Sequence, residues 1–501
     1  NQTFNETGKE ILRYRLTHNL SFPVKKGIAI NDRVEKDKLL VLQYGFAFLR
    51  TLHHLHTLRQ NHPQGILLIN KRDLKDAYRR VHTWAHIAAA CMILVQDFVL
   101  MLLRLPFGSS PAPGEFCLSS EMVVDLANDL LSDRSWDNTD FPIPYIAQIP
   151  QPSQSKPLAH PVQALPLEVP TPYRPSGCCD GYVDDMWIVV LGKEKWIARA
   201  NIALDAAIQA TFRPLAEDEP IPRMDPTSLG KLQAEGRLEE CKTILGWNVD
   251  TRKHTVSLPK KKAHDWSLSI CSFLRQGCAT PKAFTSLAGK LNRVAAILPP
   301  ARHFAGRIYR FANGDPKESM QTLSQEILND LELWLKLLQA AQEGVSINTL
   351  VFREPQVEII TDACEHGIGG FTSTGIFWRL ELPDNLLGVF TLNLLEFIAL
   401  VLTVIMTIRL GAKYLCVRAR SDSTSCISWL YKTSFWTEEQ HDGIADFCQH
   451  LAVARSLASH LIAHEAILHV QHLAGNENGV ADSLSRHTYL DPVEHSHLLS
   501  L

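Results

Sequence analysis

The pattern of apolar and polar positions changes period several times along the chain, and each change marks a predicted element. Ile66 to Ile69 is a continuous apolar run leading to Asp73, which predicts a strand with a carboxylate at its end, and Asp76 to Arg80 begins a helix. In CCDGYVDDMWIVV, residues 178–190, apolar residues flank Asp184 and Asp185, which predicts a β-hairpin carrying two adjacent carboxylates at its tip. KEKWIARANIALDAAIQA, from Lys193, has helical periodicity, and KTILGWNVDTRKHTVSL alternates like two short strands around Asp250–Lys253. Helices follow from Pro259 to about Gln276, from Thr280–Pro281 as cap and first position, and near Glu318–Gln342. From Val351 the pattern changes again. Strands near Val357–Asp362 and Tyr414–Ser421 alternate with helices, which predicts a separate α/β domain.

Proline interrupts this order at one place. Residues 141–175 contain ten of the 27 prolines, so they read as an extended excursion with neither regular helix nor central strand. There is no internal repeat.

Composition sets the scale. A chain of 501 residues, 46% hydrophobic and 21% charged, has the make-up of a globular protein with room for roughly three domains. Eleven cysteines occur without a C-x-x-C pair, so neither a zinc ribbon nor a disulfide framework is indicated, and a reducing compartment is expected. No N-terminal signal pattern is present, and the apolar run Phe397 to Ile408 is too short for a membrane span, so it reads as a buried helix. We therefore expect an intracellular protein of cytoplasm or nucleus, without a membrane partner. The Asn-x-Thr triplets at Asn1 and Asn5 are discounted for want of a secreted context. Opening on Asn1 rather than Met fits a piece of a larger polypeptide.

The net charge of −3 conceals a segregation: from Arg252 to Arg310 there are twelve Lys and Arg against one acid, Asp265. A solvated face normally mixes signs. A stretch of one sign favours a polyanionic partner, and nucleic acid is the expected one.

Asp73, Asp184 and Asp185 supply oxygen ligands suited to Mg²⁺, and a strand-end Asp beside a hairpin-tip pair can hold two cations for phosphoryl transfer. The plainer alternatives are a polar turn at Asp184–Asp185 and a helix cap at Asp73 or Asp76. Four further acids recur downstream: Asp362 in IITDACEHGIGG, Glu396 in LNLLEFIAL, Asp422 in RARSDSTSC and Asp482 in HLAGNENGVADSLSR. Their alternatives are equally plain: a helix cap for Asp422, a tolerated helix acid for Glu396 and a solvated acid for Asp482.

Together these stretches resemble a known family. DLKDAY, LPFGSSPAPGEFC (105–117) and GYVDD (181–185) resemble, in order and spacing, the first three catalytic motifs of reverse transcriptases, and ILGW (244–247) resembles the strand before the thumb. Phe107 in the second motif is similar to gypsy and DIRS-type retroelements. The four later acids, in their order, resemble the ribonuclease H domain of retroelements. The resemblance covers about residues 20–490.

It implies an α+β and α/β multidomain fold: a right-hand polymerase of fingers, palm and thumb, followed by a ribonuclease H-like mixed-sheet domain. Fingers and palm would occupy 1–255, including the proline-rich excursion, thumb and connection 256–350, the ribonuclease H-like domain 351–490, and a tail 491–501. It implies that Asp73, Asp184 and Asp185 bind two Mg²⁺, and that Asp362, Glu396, Asp422 and Asp482 bind two more, with Mn²⁺ as the alternative ion. His472 would assist proton transfer or product release, a hydrogen-bonded surface histidine being the other reading. Leu74, Tyr78, Pro106, Phe107 and Gly108 would contact substrate, Tyr78 as the gate that excludes a ribose 2′-OH. Lys25 and Lys26 are candidates for triphosphate binding. The implied partners are an RNA template, a DNA primer, the RNA–DNA hybrid and dNTPs.

Two features depart from the family pattern: Lys71–Arg72 precede Asp73 where an apolar residue is usual, and the proline-rich excursion is long. The rival reading is a degenerate or domesticated retroelement fragment that binds nucleic acid without catalysis. A hydrolase with a ribonuclease H fold alone would leave residues 66–185 unexplained. The sequence contains no Asp-Ser/Thr-Gly protease motif and no His/Cys cluster of an integrase.

Overall fold

The computed structural model describes residues 2–4, 10–12, 19–22, 27–42, 44–137, 141, 143, 145–212, 225–431 and 444–486. Asn1, Asn5, Lys25, Lys26 and the expected tail 491–501 lie outside the described residues. The chain is a mixed α/β structure with several separate sheets. It divides into two compact units, one of residues 1–163 with 171–245, the other of residues 164–170 with 246–501. The expected thumb stretch and the expected C-terminal domain thus fall within one unit.

The first unit is built on a three-stranded antiparallel sheet. Strand β1 (Leu67–Asp73) pairs with β3 (Asp185–Leu191), which pairs in turn with β2 (Cys178–Tyr182). The residues Met186 to Leu191 are apolar without a break because both sides of β3 are covered. Met186, Ile188 and Val190 point to the helices Ala112–Ser132 (α2) and Glu194–Thr211 (α3), with Phe116 and Leu204 in the same core. On the other side, Trp187 donates from Nε1 to Thr51 Oγ1 at 2.8 Å on helix α1 (Ala47–Asn61). Each fully buried side chain of this size contributes about 1.5–3 kcal/mol, which anchors the strand whose first residue is Asp185.

Lys71–Arg72 is accommodated in an unexpected way. Arg72 is entirely buried and donates to Asp205 on α3 at 2.8 Å, to the Gly236 carbonyl at 2.8 Å and to the Asn201 carbonyl at 3.1 Å. Asp205, also entirely buried, accepts from the Tyr145 hydroxyl at 3.0 Å, and Tyr145 bonds Thr227 at 2.6 Å. The guanidinium therefore stands in the core where an apolar residue was expected, and is satisfied there. After Asp73 the chain forms a short 3-10 turn, Ala77–Arg80, in place of a helix. Asp76 precedes it in left-handed conformation, φ 57°, and makes no capping bond from its side chain.

Residues 141–175 contain, among those described, one 3-10 turn, Ile146–Gln148, and no strand, as their prolines require. Within the second unit, Ala164–Pro170 runs as an added edge. Glu168 N–H donates to the Phe352 carbonyl at 3.1 Å, Glu354 N–H to the Pro166 carbonyl at 3.1 Å, and the Glu168 carboxylate pairs with Arg418 at 2.5 Å.

The second unit begins with strands Trp247–Asp250 and Thr255–Ser257, the two short strands expected on either side of Asp250–Lys253. Helix α4 spans Lys260–Gln276 and α5 Pro281–Ala295, the latter capped as its sequence predicts, with Thr280 Oγ1 accepting from Ala283 N–H at 3.2 Å. The long helix α6 starts later than expected, at Gln325, because Ser324 caps it and Gln321–Thr322 pairs as a strand with Cys278–Ala279.

A five-stranded mixed sheet follows. Its strands are β4 (Val357–Ala363), β5 (Gly367–Thr372), β6 (Phe377–Glu381), β7 (Cys416–Ser421) and β8 (Ile467–His472), in the spatial order β6-β5-β4-β7-β8. β7 runs parallel to both β4 and β8, and β5 antiparallel to β4 and β6. Helix α7 (Leu392–Leu410) is long and apolar enough to cross a membrane, yet Phe397, Leu400, Val404 and Ile408 are buried against Ile359, Val417 and helix α8 (Ile444–Ala463). Alternation along β4 turns Val357 and Ile359 toward α7, and Ile360 and Asp362 toward helix α9 (Gly479–Arg486).

Candidate active sites

The hairpin between β2 and β3 brings the first group of acids together. Its turn is Val183–Asp184, and Val183 lies at φ 59°, a conformation that costs a β-branched residue energy and that the buried strands on either side impose. Tyr182 pairs across the turn with Asp185, and Asp185 pairs on its other side with Asp73, so all three acids gather at one end of the sheet. Leu74 N–H donates to the Asp184 carbonyl at 3.4 Å. The Leu74 side chain is buried in the core, which leaves only its backbone for a ligand.

Burial and repulsion both act on Asp73 and Asp184. Burial, opposed by Lys231 and assisted by Asp185, holds Asp73 above the usual carboxylate range. Asp184 is raised by burial and then by Asp73 and Asp185. Two lysines answer this charge: Lys231 Nζ lies 2.6 Å from Asp73, and Lys71 Nζ lies 3.2 Å from Asp185 and 3.4 Å from Glu235. Burial works against the Lys71 ammonium, but Asp185 and Glu235 outweigh it and raise its pKa. Neither lysine was identifiable as part of the site from the sequence; Lys231 is 158 positions from its partner.

Tyr78 stands beside this group. Its ring packs on Phe107 at 5.0 Å and on Phe116 at 5.2 Å, and its hydroxyl is pushed up to about 12 by burial first, then by Cys117 and Asp184. Gly108 takes φ 101°, which a side chain would resist, and the turn from Pro106 is fastened by Asn31. The Asn31 amide donates to the Gly108 carbonyl at 2.8 Å and its oxygen accepts from Ser110 N–H at 3.0 Å. Asn31 was also missed in the sequence, where nothing marks it.

The second group of acids lies in the other unit. Asp362, near the end of β4, is raised by burial and then by Asp422 and Asp482, against a hydrogen bond from Ser485. Glu396 on α7 is raised by burial and by Asp422 and Asp362, against a hydrogen bond from Ser423. Its Oε2 is buried without a hydrogen-bond partner. Asp422 follows the end of β7, and Asp482 on α9 pairs with Arg486. Parallel pairing of β4 with β7 brings Asp362 and Asp422, 60 positions apart, to the same end of the sheet, and α9, packed on β4, brings Asp482. His472 ends β8 opposite Ser421 with its side chain exposed.

Among the described residues no three His, Cys, Asp or Glu side chains are drawn tightly enough together to enclose an ion. The donor chemistry nevertheless fits a divalent, oxygen-preferring cation. Asp184, raised by burial and then by its acidic neighbours, an ammonium seated on Asp73 and a buried unsatisfied oxygen on Glu396 all mark places where positive charge is favoured.

A third feature belongs to the basic segment. Gly246 takes φ 80°, and a Cβ there would meet Lys262 Nζ at 2.5 Å and Arg293 Nη2 at 3.0 Å. Arg293 also stacks over the Trp247 ring at 5.4 Å, and burial together with Arg293 lowers the Lys262 ammonium. Two cations held this close favour an anion between them. Two other cations of the segment are paired with acids, Lys282 with Glu318 at 2.6 Å and Arg307 with Asp330 at 3.3 Å.

No family model and no curated protein matches the chain. Among solved structures it is similar to the foamy viral protease-reverse transcriptase in complex with double-stranded DNA, at 13% identity and a TM-score of 0.43, over 94% of this chain and 64% of that one. A second structure of that protein, in complex with RNA/DNA hybrid, is similar at 14% identity and a TM-score of 0.35, over 83% of this chain and 45% of that one. Ribonuclease H1 from Halobacterium salinarum NRC-1 is similar at 17% identity and a TM-score of 0.20, over 26% of this chain and 92% of that one. The chain thus spans less than two thirds of the foamy viral protein, and at these TM-scores the likenesses carry no weight for its function.

Proposed function

We propose that the chain is an RNA-directed DNA polymerase that also cleaves the RNA strand of an RNA–DNA hybrid, with the right-hand and ribonuclease H-like organisation that its motifs imply. The observation that carries this reading is the direct pairing of Asp73 with Asp185 beside Asp184, on strands joined through more than a hundred residues of intervening chain. A turn or a helix cap would need none of that convergence, and Asp76, one of the two capping candidates, caps nothing with its side chain.

In this reading Asp73 and Asp184, with Asp185 in support, would hold Mg²⁺ or Mn²⁺, which would supply positive charge for phosphoryl transfer from a dNTP to the primer 3′-hydroxyl, with pyrophosphate as the leaving group. The β-hairpin fixes the acids before substrate arrives, so little reorganisation is needed at the reaction. Tyr78, braced by Phe107 and Phe116, fills the space a 2′-OH would take. The Lys262–Arg293 pair beside Gly246 and Trp247 takes a backbone phosphate of the duplex, so affinity falls steeply with salt. Asp362, Glu396, Asp422 and Asp482 form the second site, with His472 at its exposed rim. Hybrid recognition there rests on A-form shape and 2′-OH contacts.

Primer extension on an RNA template and cleavage of a labelled hybrid, both in Mg²⁺, test the two activities. A wild-type chain that binds the hybrid but performs neither reaction would overturn the proposal in favour of a binding-only retroelement remnant.

A further inference from the structure

The second acid group contains a clamp that the proposed reaction does not require by itself. Both oxygens of Asp362 are engaged from α9 and the turn before it. Ser485 Oγ lies 2.6 Å from Asp362 Oδ2, and Asn478 Nδ2 lies 3.3 Å from Oδ1. Ser485 is 1% exposed and Asn478 is 1% exposed, so water does not compete for either contact. Ser485 Oγ also lies 2.9 Å from the Asp482 carbonyl. One hydroxyl has one proton, and an ionised carboxylate at the shorter distance takes it. The serine thus ties α9 to the acid on β4.

A separate observation shows that the backbone is shaped for this approach. β5 carries Gly367 and Gly369, and Gly369 pairs directly with Asp362. A Cβ on Gly367 would stand 2.5 Å from the Ser485 carbonyl, and one on Gly369 would stand 2.8 Å from Leu484 Cβ. Any side chain at either position would push α9 away from the sheet. The run GIGG, residues 367–370 of β5, is therefore a seat for α9.

We infer that Ser485, seated by Gly367 and Gly369 and assisted by Asn478, is a positioning residue that fixes the rotation of the Asp362 carboxylate for cation binding. Each carboxylate oxygen accepts one hydrogen bond and keeps a second lone pair toward the site. Partners that orient a ligand in this way typically govern about 10–100-fold in metal affinity. This inference rests on the reading of the four acids as a cation site.

The test uses the full chain and Ser485→Ala, which removes one oxygen from a buried position. Mn²⁺ binding is followed by loss of the free-ion electron paramagnetic resonance signal, and Mg²⁺ half-saturation by hybrid cleavage. Asp73→Asn is present in both backgrounds, so that ions bound at the other acid group do not mask the result. The melting temperature without divalent ions checks the fold. We expect Ser485→Ala to weaken Mn²⁺ binding and raise the Mg²⁺ requirement by about tenfold, with cleavage at saturating Mg²⁺ largely restored. Gly369→Ala, which displaces the same helix, should reproduce the shift. Equal Mn²⁺ affinity in the Asp73→Asn parent and in the same chain with Ser485→Ala would overturn the positioning role while the cation site stands. A parent chain that binds no Mn²⁺ at this group would overturn both. A Ser485→Ala chain that loses cleavage at every Mg²⁺ concentration with unchanged Mn²⁺ affinity would also overturn it.

Discussion

Asp73 and Asp185 face each other directly across the antiparallel pairing of β1 and β3. Opposed like charges destabilise a strand pair, so a fold that places them there needs countercharge. Lys231 on Asp73 and Lys71 on Asp185 supply it, and the geometry leaves Asp184 as the member of the group without a lysine partner among the described residues.

That asymmetry makes Asp184 the sharper probe. Asp184→Asn keeps the size of the side chain and removes its charge. We expect primer extension to fall by about a hundredfold or more, with cleavage of the hybrid unchanged. Extension at the wild-type rate would show that Asp184 does not serve the reaction.

Tyr78→Ala should open the space beside Phe107 and Phe116. Incorporation of ribonucleotides relative to deoxynucleotides is then expected to rise by about tenfold or more, read from single-nucleotide extension with each nucleotide in turn. A ratio equal to that of wild type would reduce Tyr78 to a packing residue.

Arg72 and Asp205 form an ion pair with no exposed atom on either side chain. Arg72→Ala leaves a buried carboxylate without its main partner and should cost about 3–5 kcal/mol in denaturant unfolding. Arg72→Met with Asp205→Leu should recover most of that, because neither charge is then stranded. A single variant as stable as wild type would mean that water reaches Asp205.

His303 predicts a pH dependence. It is 8% exposed, and burial, aided by Arg455 and Arg302, lowers it from 6.5 to about 4 despite a backbone bond to Leu430. The folded chain thus resists protonation that the unfolded chain accepts. Stability from this group is full above pH 6.5, declines as pH falls below it, and levels off below about 4, a total of about 3 kcal/mol. His303→Gln should lose that part of the slope in melting temperature between pH 7 and 4, while a slope unchanged from wild type would place the histidine in water.

The elements that carry the acids were legible because their signals are local. A run such as Met186 to Val190 can be buried only as a strand or a core helix, and two acids at its head decide for a hairpin. Thr280–Pro281 and the helix from Lys260 follow from capping and proline chemistry in the same way. What the sequence could not show is long-range. Asn31 fastens a turn 77 positions away, Lys231 neutralises Asp73, and Ser485 reaches Asp362 across 123 positions. Arg72 is the instructive failure, since a charged residue in an apolar strand reads as a defect until Asp205 is known to wait for it.

The buried pair also constrains how this chain can change over generations. Losing Arg72 or Asp205 alone strands a charge, whereas exchanging both for apolar residues does not. Positions 72 and 205, 133 residues apart, are therefore expected to vary together in descendants of this gene. A lineage that crosses from the charged to the apolar solution must pass through a destabilised intermediate or change both codons at once, so the two solutions should sort into separate branches.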